Sequence, residues 1–140
     1  MDIGLPHEAD IPDVIERLAE VIGPDRAPAF LKSYLERHHV IVAKEDRKVR
    51  GVLAYRTDWF QCTYVVLVSV HPDHRRCGIA QALFSHVEEI SFTPRLFSST
   101  EETNAASIQM HRALGFTPSG YIDNLPQGYR ELIFYKRIRP

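Results

Sequence analysis

The chain has no apolar run approaching about 18 residues, which argues against a helix able to cross a bilayer. No apolar stretch follows Asp2 either, so no signal peptide is expected. Neither sign of charge dominates: 17 Lys+Arg against 18 Asp+Glu leave a formal net charge of −1. That is too weak a field to draw the protein to nucleic acid or a membrane. Cysteine is scarce. Cys62 and Cys77 flank one apolar stretch, show no metal-ligand spacing, and read as two reduced thiols of a cytoplasmic protein. The seven histidines include His38-His39 and His71/His74, but no H-x-x-x-H pair on one helix, so no metal is expected. A G-K-[ST] Walker loop is missing, and so is the three-glycine dinucleotide fingerprint. There are no internal repeats, low-complexity tracts or linkers. What remains is 140 residues, 44% hydrophobic and 25% charged, which fit a single domain over 1–140 with a real core.

The stretch 63–87, TYVVLVSVHPDHRRCGIAQALFSHV, organises the rest. Thr63 to Val70 is rich in β-branched apolar residues and suits a strand buried on both faces. Pro72 cannot donate to a ladder and ends it. Arg75-Arg76-Cys77-Gly78-Ile79-Ala80 follows. Ile79, Leu83, Val87 and Ile90 then recur at helical spacing. The helix therefore opens inside the Arg/Gly loop. Unpaired backbone N–H groups, the positive end of a helix dipole and one or two arginines meet in one small concavity, which suits a phosphate. Gly78 lets that phosphate approach the backbone.

Upstream, Asp2–Leu5 is a short strand. Asp10 caps a first helix with Pro12 in its first turn, and Gly23-Pro24 stops it. Asp25 caps a second helix carrying Phe30, Leu31, Tyr34 and Leu35. His38–Ala43 and Val49–Arg56 form a hairpin about a polar turn, Glu45–Lys48. Thr57–Gln61 links it to the Thr63 strand. Downstream come a short strand near Arg95–Ser98, a helix capped by Asn104 or Thr103, and closing strands Phe116–Ile122 and Tyr129–Ile138. The order β-α-α-β-β-β-α-β-α-β-β predicts an α/β (α+β) fold, a mixed sheet flanked by about four helices. The crossovers predict parallel pairing around the central strands.

Val70-His71-Pro72 followed by Arg75–Ala80 resembles the strand-end V-x-P and [RQ]-x-x-G-x-[GA] loop of the GNAT superfamily of acetyl-CoA-dependent N-acetyltransferases. Asn104 to Phe116, NAASIQMHRALGF, is similar to that family's N-x-x-[AS]-…-L-G-F segment. The resemblance implies a GNAT-like, mostly antiparallel sheet and acetyl-CoA as acetyl donor. It implies that backbone groups of Val68, Ser69 and Val70 pair with the acetyl and pantetheine part. N–H groups of Arg75, Arg76, Cys77, Gly78, Ile79 and Ala80 would hold the pyrophosphate, and Asn104 the pantetheine arm; Asn104 could equally be a plain helix N-cap.

Two positions depart from the family. His111 stands where many members carry the Tyr that protonates the departing thiolate; either residue can donate a proton, and an exposed or apolar-packed histidine is the other reading of this position. Some relatives place a basic Glu where this chain has Ser99, leaving Glu101 and Glu102 as nearby candidates, or a water relay. The acceptor pocket could draw on Trp59, Phe60, Tyr34, Tyr121 and Tyr129. The expected reaction is direct transfer of acetyl to a primary amine of a small molecule or peptide. The alternative is a non-catalytic acyl-CoA-binding or regulatory domain. No nucleic-acid or membrane partner is expected, and the last strand could pair with a second copy in a homodimer.

Overall fold

The computed structural model describes residues 1–75 and 77–140. Its elements follow the expected order: β1 (Asp2–Gly4), α1 (Ile11–Ile22), α2 (Ala27–Glu36), β2 (Val40–Glu45), β3 (Lys48–Trp59), β4 (Cys62–Val70), α3 (Ile79–Ile90), β5 (Arg95–Glu101), α4 (Ala105–Ala113), β6 (Thr117–Ile122) and β7 (Glu131–Arg137). The strands hydrogen-bond in the order β1-β2-β3-β4-β5-β7-β6. The fold is thus the expected mixed α/β one. The chain forms two compact units, one of 1–55 with 67–90, the other of 56–66 with 91–140.

In the first unit, β1 runs antiparallel to β2, and β2 antiparallel to β3. α1 and α2 cover this sheet with Val14, Leu18, Ala27 and Leu31, all buried. Asp10 does precede α1, but its carboxylate does not cap it. It accepts the His7 backbone N–H at 2.8 Å and pairs with Lys44 at 3.2 Å. Arg26 rather than Asp25 is the N-cap of α2. The hairpin turn at Asp46 and Arg47 takes positive φ at both residues (51° and 66°), the geometry a two-residue turn needs to follow strand twist. β2 starts later than expected because His38 (φ 58°) and the His39 N–H to Tyr34 carbonyl bond finish the turn off α2.

α3 lies close on β3 at Gly51. A Cβ there would stand 2.7 Å from Ile79 Cγ2 and 3.1 Å from Leu83 Cδ1, both on fully buried side chains. Gly51→Val is therefore expected to overpack the unit and cost about 1–3 kcal/mol. Urea unfolding at unchanged m-value would read this, and a loss below a few tenths of a kcal/mol would refute it.

In the second unit, β4 and β5 pair in parallel, Thr63–Val65 against Leu96–Ser98. β5 and β6 each pair antiparallel with β7. The α4 crossover therefore does not make β5 and β6 neighbours. β7 lies between them, so the last strand is internal and the edge belongs to β6, exposed along its whole length. β4 differs from expectation as well. It is buried on one face (Thr63, Val65, Leu67, Ser69) and half-buried on the other (Tyr64, Val66, Val68, Val70). β3 continues to Trp59, and Phe60 and Gln61 (φ 49° and 60°) make a second two-residue turn where a longer link was expected.

Candidate functional site

The loop at the end of β4 belongs to the first unit. A short 3₁₀ turn, Pro72–His74, carries the chain away from the strand, and the His71 ring accepts the Asp73 N–H at 3.1 Å. Arg75 folds back, its Nε donating to the Val70 carbonyl at 3.3 Å. Gly78 has φ +78°, and a Cβ placed on it would meet nothing within 4 Å. A side chain there would strain the backbone, while the space over the backbone is open. Ile79 anchors the first turn of α3 in the core, and Ala82 N–H closes on the Gly78 carbonyl. The N–H groups ahead of Ala82 have no partner within the helix and can face an anion. Cys77 is exposed, with its thiol 3.7 Å from the Arg75 carbonyl. Val68 and Val70 are half-buried and Ser69 is buried. Arg76 lies outside the described residues.

The expected catalytic residues and Asn104 belong to the second unit. Asn104 is the N-cap of α4, its Oδ1 accepting the Ser107 N–H at 3.0 Å. Glu101, exposed at the end of β5, pairs across the ladder with Glu131. Glu102 is held in a two-way clamp: its carboxylate accepts the Arg130 N–H at 2.6 Å and its own N–H donates to the Arg130 carbonyl at 2.9 Å.

His111 is 1% exposed. Its ring stacks on Phe134 at 4.7 Å and meets the edge of Phe116 at 5.4 Å. Nδ1 lies 2.8 Å from the Ser107 carbonyl, which can only accept, so Nδ1 carries the proton. Nε2 therefore accepts from the Ser98 hydroxyl at 2.8 Å. Burial holds its pKa below the usual imidazole value, against opposing pulls from the Ser107 hydrogen bond and the Glu131 charge. A neutral ring with both nitrogens engaged has no proton to give a leaving thiolate without breaking a core hydrogen bond.

The aromatic candidates fall in both units. Tyr34 is buried and stacked on Phe30, in the first unit. Trp59 stacks on Tyr64 (4.8 Å) and leans on Phe97 (5.0 Å) and Phe60 (4.9 Å) in the second. Arg130 sits 4.3 Å over the Tyr121 ring, and Tyr129 is exposed. One network was not anticipated: Ser99 bridges Tyr64 and Glu131, with 2.6 Å to each. Nothing local marks it, because Glu131 reaches Ser99 only through the β5/β7 register. Among the described residues, no group of three or more His, Cys, Asp or Glu is placed to hold a metal ion, and no helix is long and apolar enough to cross a membrane.

Residues 11–116 match the model of the acetyltransferase (GNAT) family. The chain belongs to that family. Its fold superposes on a GNAT-family acetyltransferase from Bacillus cereus ATCC 10987 with a TM-score of 0.88 at 33% identity, covering 97% of this chain and 96% of that one. A Salmonella typhimurium protein solved with its cofactor acetyl-CoA shares the fold at a TM-score of 0.79 and 21% identity, over 100% of this chain and 95% of that one. Among characterised proteins, the L-methionine sulfoximine/L-methionine sulfone acetyltransferase of S. typhimurium strain LT2 is 34% identical over 86 residues, 56% of this chain. That match spans 50% of the relative's own length.

Proposed function

We propose that this GNAT family member transfers the acetyl group of acetyl-CoA directly to a primary amine of a small molecule or peptide. The observation that carries the reading is the β4–loop–α3 junction. A glycine at φ +78° with open space over it and a helix opening behind it fit a bound pyrophosphate. Backbone N–H groups of Arg75 and of Cys77 to Ala80 hold it, and the backbone of Val68, Ser69 and Val70 receives the acyl arm as an added strand would. Asn104 caps α4 through Oδ1, which leaves its amide N–H₂ to serve the pantetheine arm. The acetyl donor, a substrate here, brings a thioester carbonyl open to attack. A backbone N–H of Ser69 or Val70 stabilises the negative charge that develops on its oxygen. Much of the rate gain comes from holding the two substrates together.

In this reading His111 is part of the scaffold, and the Glu102 carboxylate a loop clamp. The setting is cytoplasmic, consistent with two free cysteines.

The test is a thiol-release screen with acetyl-CoA and a panel of amines, including methionine sulfone, other amino acids and peptide N-termini. Amine-dependent release of coenzyme A is expected. Tight acetyl-CoA binding with no release on any amine would return the chain to the non-catalytic alternative.

A further inference from the structure

Ser98 and Ser99 are neighbours on β5 and point to opposite faces. Ser98 is buried against His111 of α4. Ser99 is half-buried on the other face, which also carries Tyr64, Phe97 and Tyr135. There its hydroxyl lies 2.6 Å from both the Tyr64 hydroxyl and Glu131 Oε2, while Gln127 donates to Glu131 Oε1 at 3.1 Å. The direction of these bonds is fixed. A carboxylate only accepts, so Ser99 spends its single proton on Glu131, and Tyr64 must donate to Ser99. The result is an ordered chain, Tyr64 O–H to Ser99 O–H to Glu131 carboxylate. Its members are half-buried, and its floor is Trp59 and Phe97.

We propose that this chain is the proton acceptor of the acetyl transfer, with Tyr64 touching the acceptor amine and Ser99 and Glu131 acting through it. The inference rests on the transferase reading above. A phenol oxygen has two acceptor positions as well as its donor, so an amine N–H can bond to it while the phenol donates onward. The neutral amine attacks; the new N–C bond forms and the thioester C–S bond breaks. As the nitrogen gives up its lone pair its remaining N–H becomes acidic. That proton passes to the Tyr64 oxygen, the phenol proton to Ser99, and the serine proton to Glu131. The sum is one proton moved from nitrogen to the Glu131 carboxylate. The sulfur departs as thiolate and is protonated by water, and nothing is oxidised or reduced. Glu131 thus supplies, from a different strand, the carboxylate that Ser99 itself lacks.

Several charges surround Glu131. Glu101 is opposite on β5, the Arg130–Asp123 pair and Glu102 lie along the turn, and His111 on α4 feels the Glu131 charge. Any of these would shift a profile, so the test compares variants across pH instead of assigning one titration.

Glu131→Gln, Ser99→Ala and Ser99→Thr are assayed for amine-dependent thiol release from neutral to alkaline pH, with acetyl-CoA affinity measured by calorimetry. Glu131→Gln and Ser99→Ala should lower kcat about 100-fold near neutrality, the usual size of a lost general base. The deficit should shrink as pH rises, because hydroxide then takes the proton. Ser99→Thr, which keeps the hydroxyl, should recover most of the rate, and acetyl-CoA affinity should hold in all three. A deficit equal at every pH, an unchanged rate, or lost acetyl-CoA binding would overturn the relay alone. A wild-type protein that releases no thiol with any amine would overturn the transferase reading, and the relay with it.

Discussion

Gly78→Glu should weaken acetyl-CoA binding by at least about 100-fold in a calorimetric titration, equivalent to about 2.7 kcal/mol or more. Two effects add. The backbone at this residue sits at φ +78°, which an L side chain adopts at a cost of about 1–2 kcal/mol. The open space over Gly78 would also be filled by a carboxylate, at the helix N-terminus where the phosphate is proposed to bind. Backbone strain alone could loosen the loop, so Gly23→Glu is the matched control. Gly23 has φ +88°, also meets nothing within 4 Å, and ends α1. It should lose comparable stability with little change in affinity. Equal binding by wild type and Gly78→Glu would remove the loop from the cofactor site.

The loop was legible because its determinants are local. A β-branched run, a proline that cannot continue a ladder, a glycine and a helical stripe sit within 25 consecutive residues, 63–87. The Asn104 cap was legible for the same reason: its Oδ1 reaches only to Ser107, three residues on. Where the reading failed, the deciding partner was remote or chemically unmarked. Asp10 looks like a cap, but Lys44 and His7 claim its carboxylate. Phe60-Gln61 turns a hairpin with neither Asn nor Gly, so the composition of that stretch hides the turn. Gly51 reads as an unremarkable strand residue until α3 is laid on it.

The proposed site divides along the same line. Anion binding needs backbone amides and a glycine, which neighbouring residues supply. Proton handling needs side chains brought together by sheet register. Ser99 alone is a poor base, and Glu131 lies 32 residues away in sequence. The ladder that sets Ser99 against Ile133 also brings Glu131, two residues along the same face of β7, within reach. His111 shows the converse. Its place in the Asn104–Phe116 segment left a proton donor and an apolar-packed ring both open, and α4 turns it onto Phe134, where burial lowers its pKa.

That burial makes His111→Gln the second large effect, expected in stability. The wild-type ring fills a site 1% exposed and satisfies both the Ser98 hydroxyl and the Ser107 carbonyl. Glutamine keeps a donor and an acceptor but forfeits the stack on Phe134 and the fit of the ring, so a loss of about 2–3 kcal/mol is expected. The dependence on pH separates this from any simple cavity. In the unfolded chain the imidazole titrates near pH 6.5, while in the folded protein burial holds its pKa lower. As pH falls below about 6.5 the unfolded state therefore binds a proton that the folded state refuses. Wild-type stability then declines by up to about 1.4 kcal/mol per pH unit until the folded value is passed. Glutamine carries no such proton, so the advantage of wild type over His111→Gln should narrow as the solution is acidified. The other six histidines are common to both proteins and cancel in the difference. Urea unfolding at several pH values reads this directly. A difference that stays constant from neutral to mildly acidic pH would mean the ring is not held neutral in the core. Turnover per folded molecule supplies the complementary check. It should stay within a few-fold of wild type, and a collapse at unchanged stability would return His111 to the chemistry.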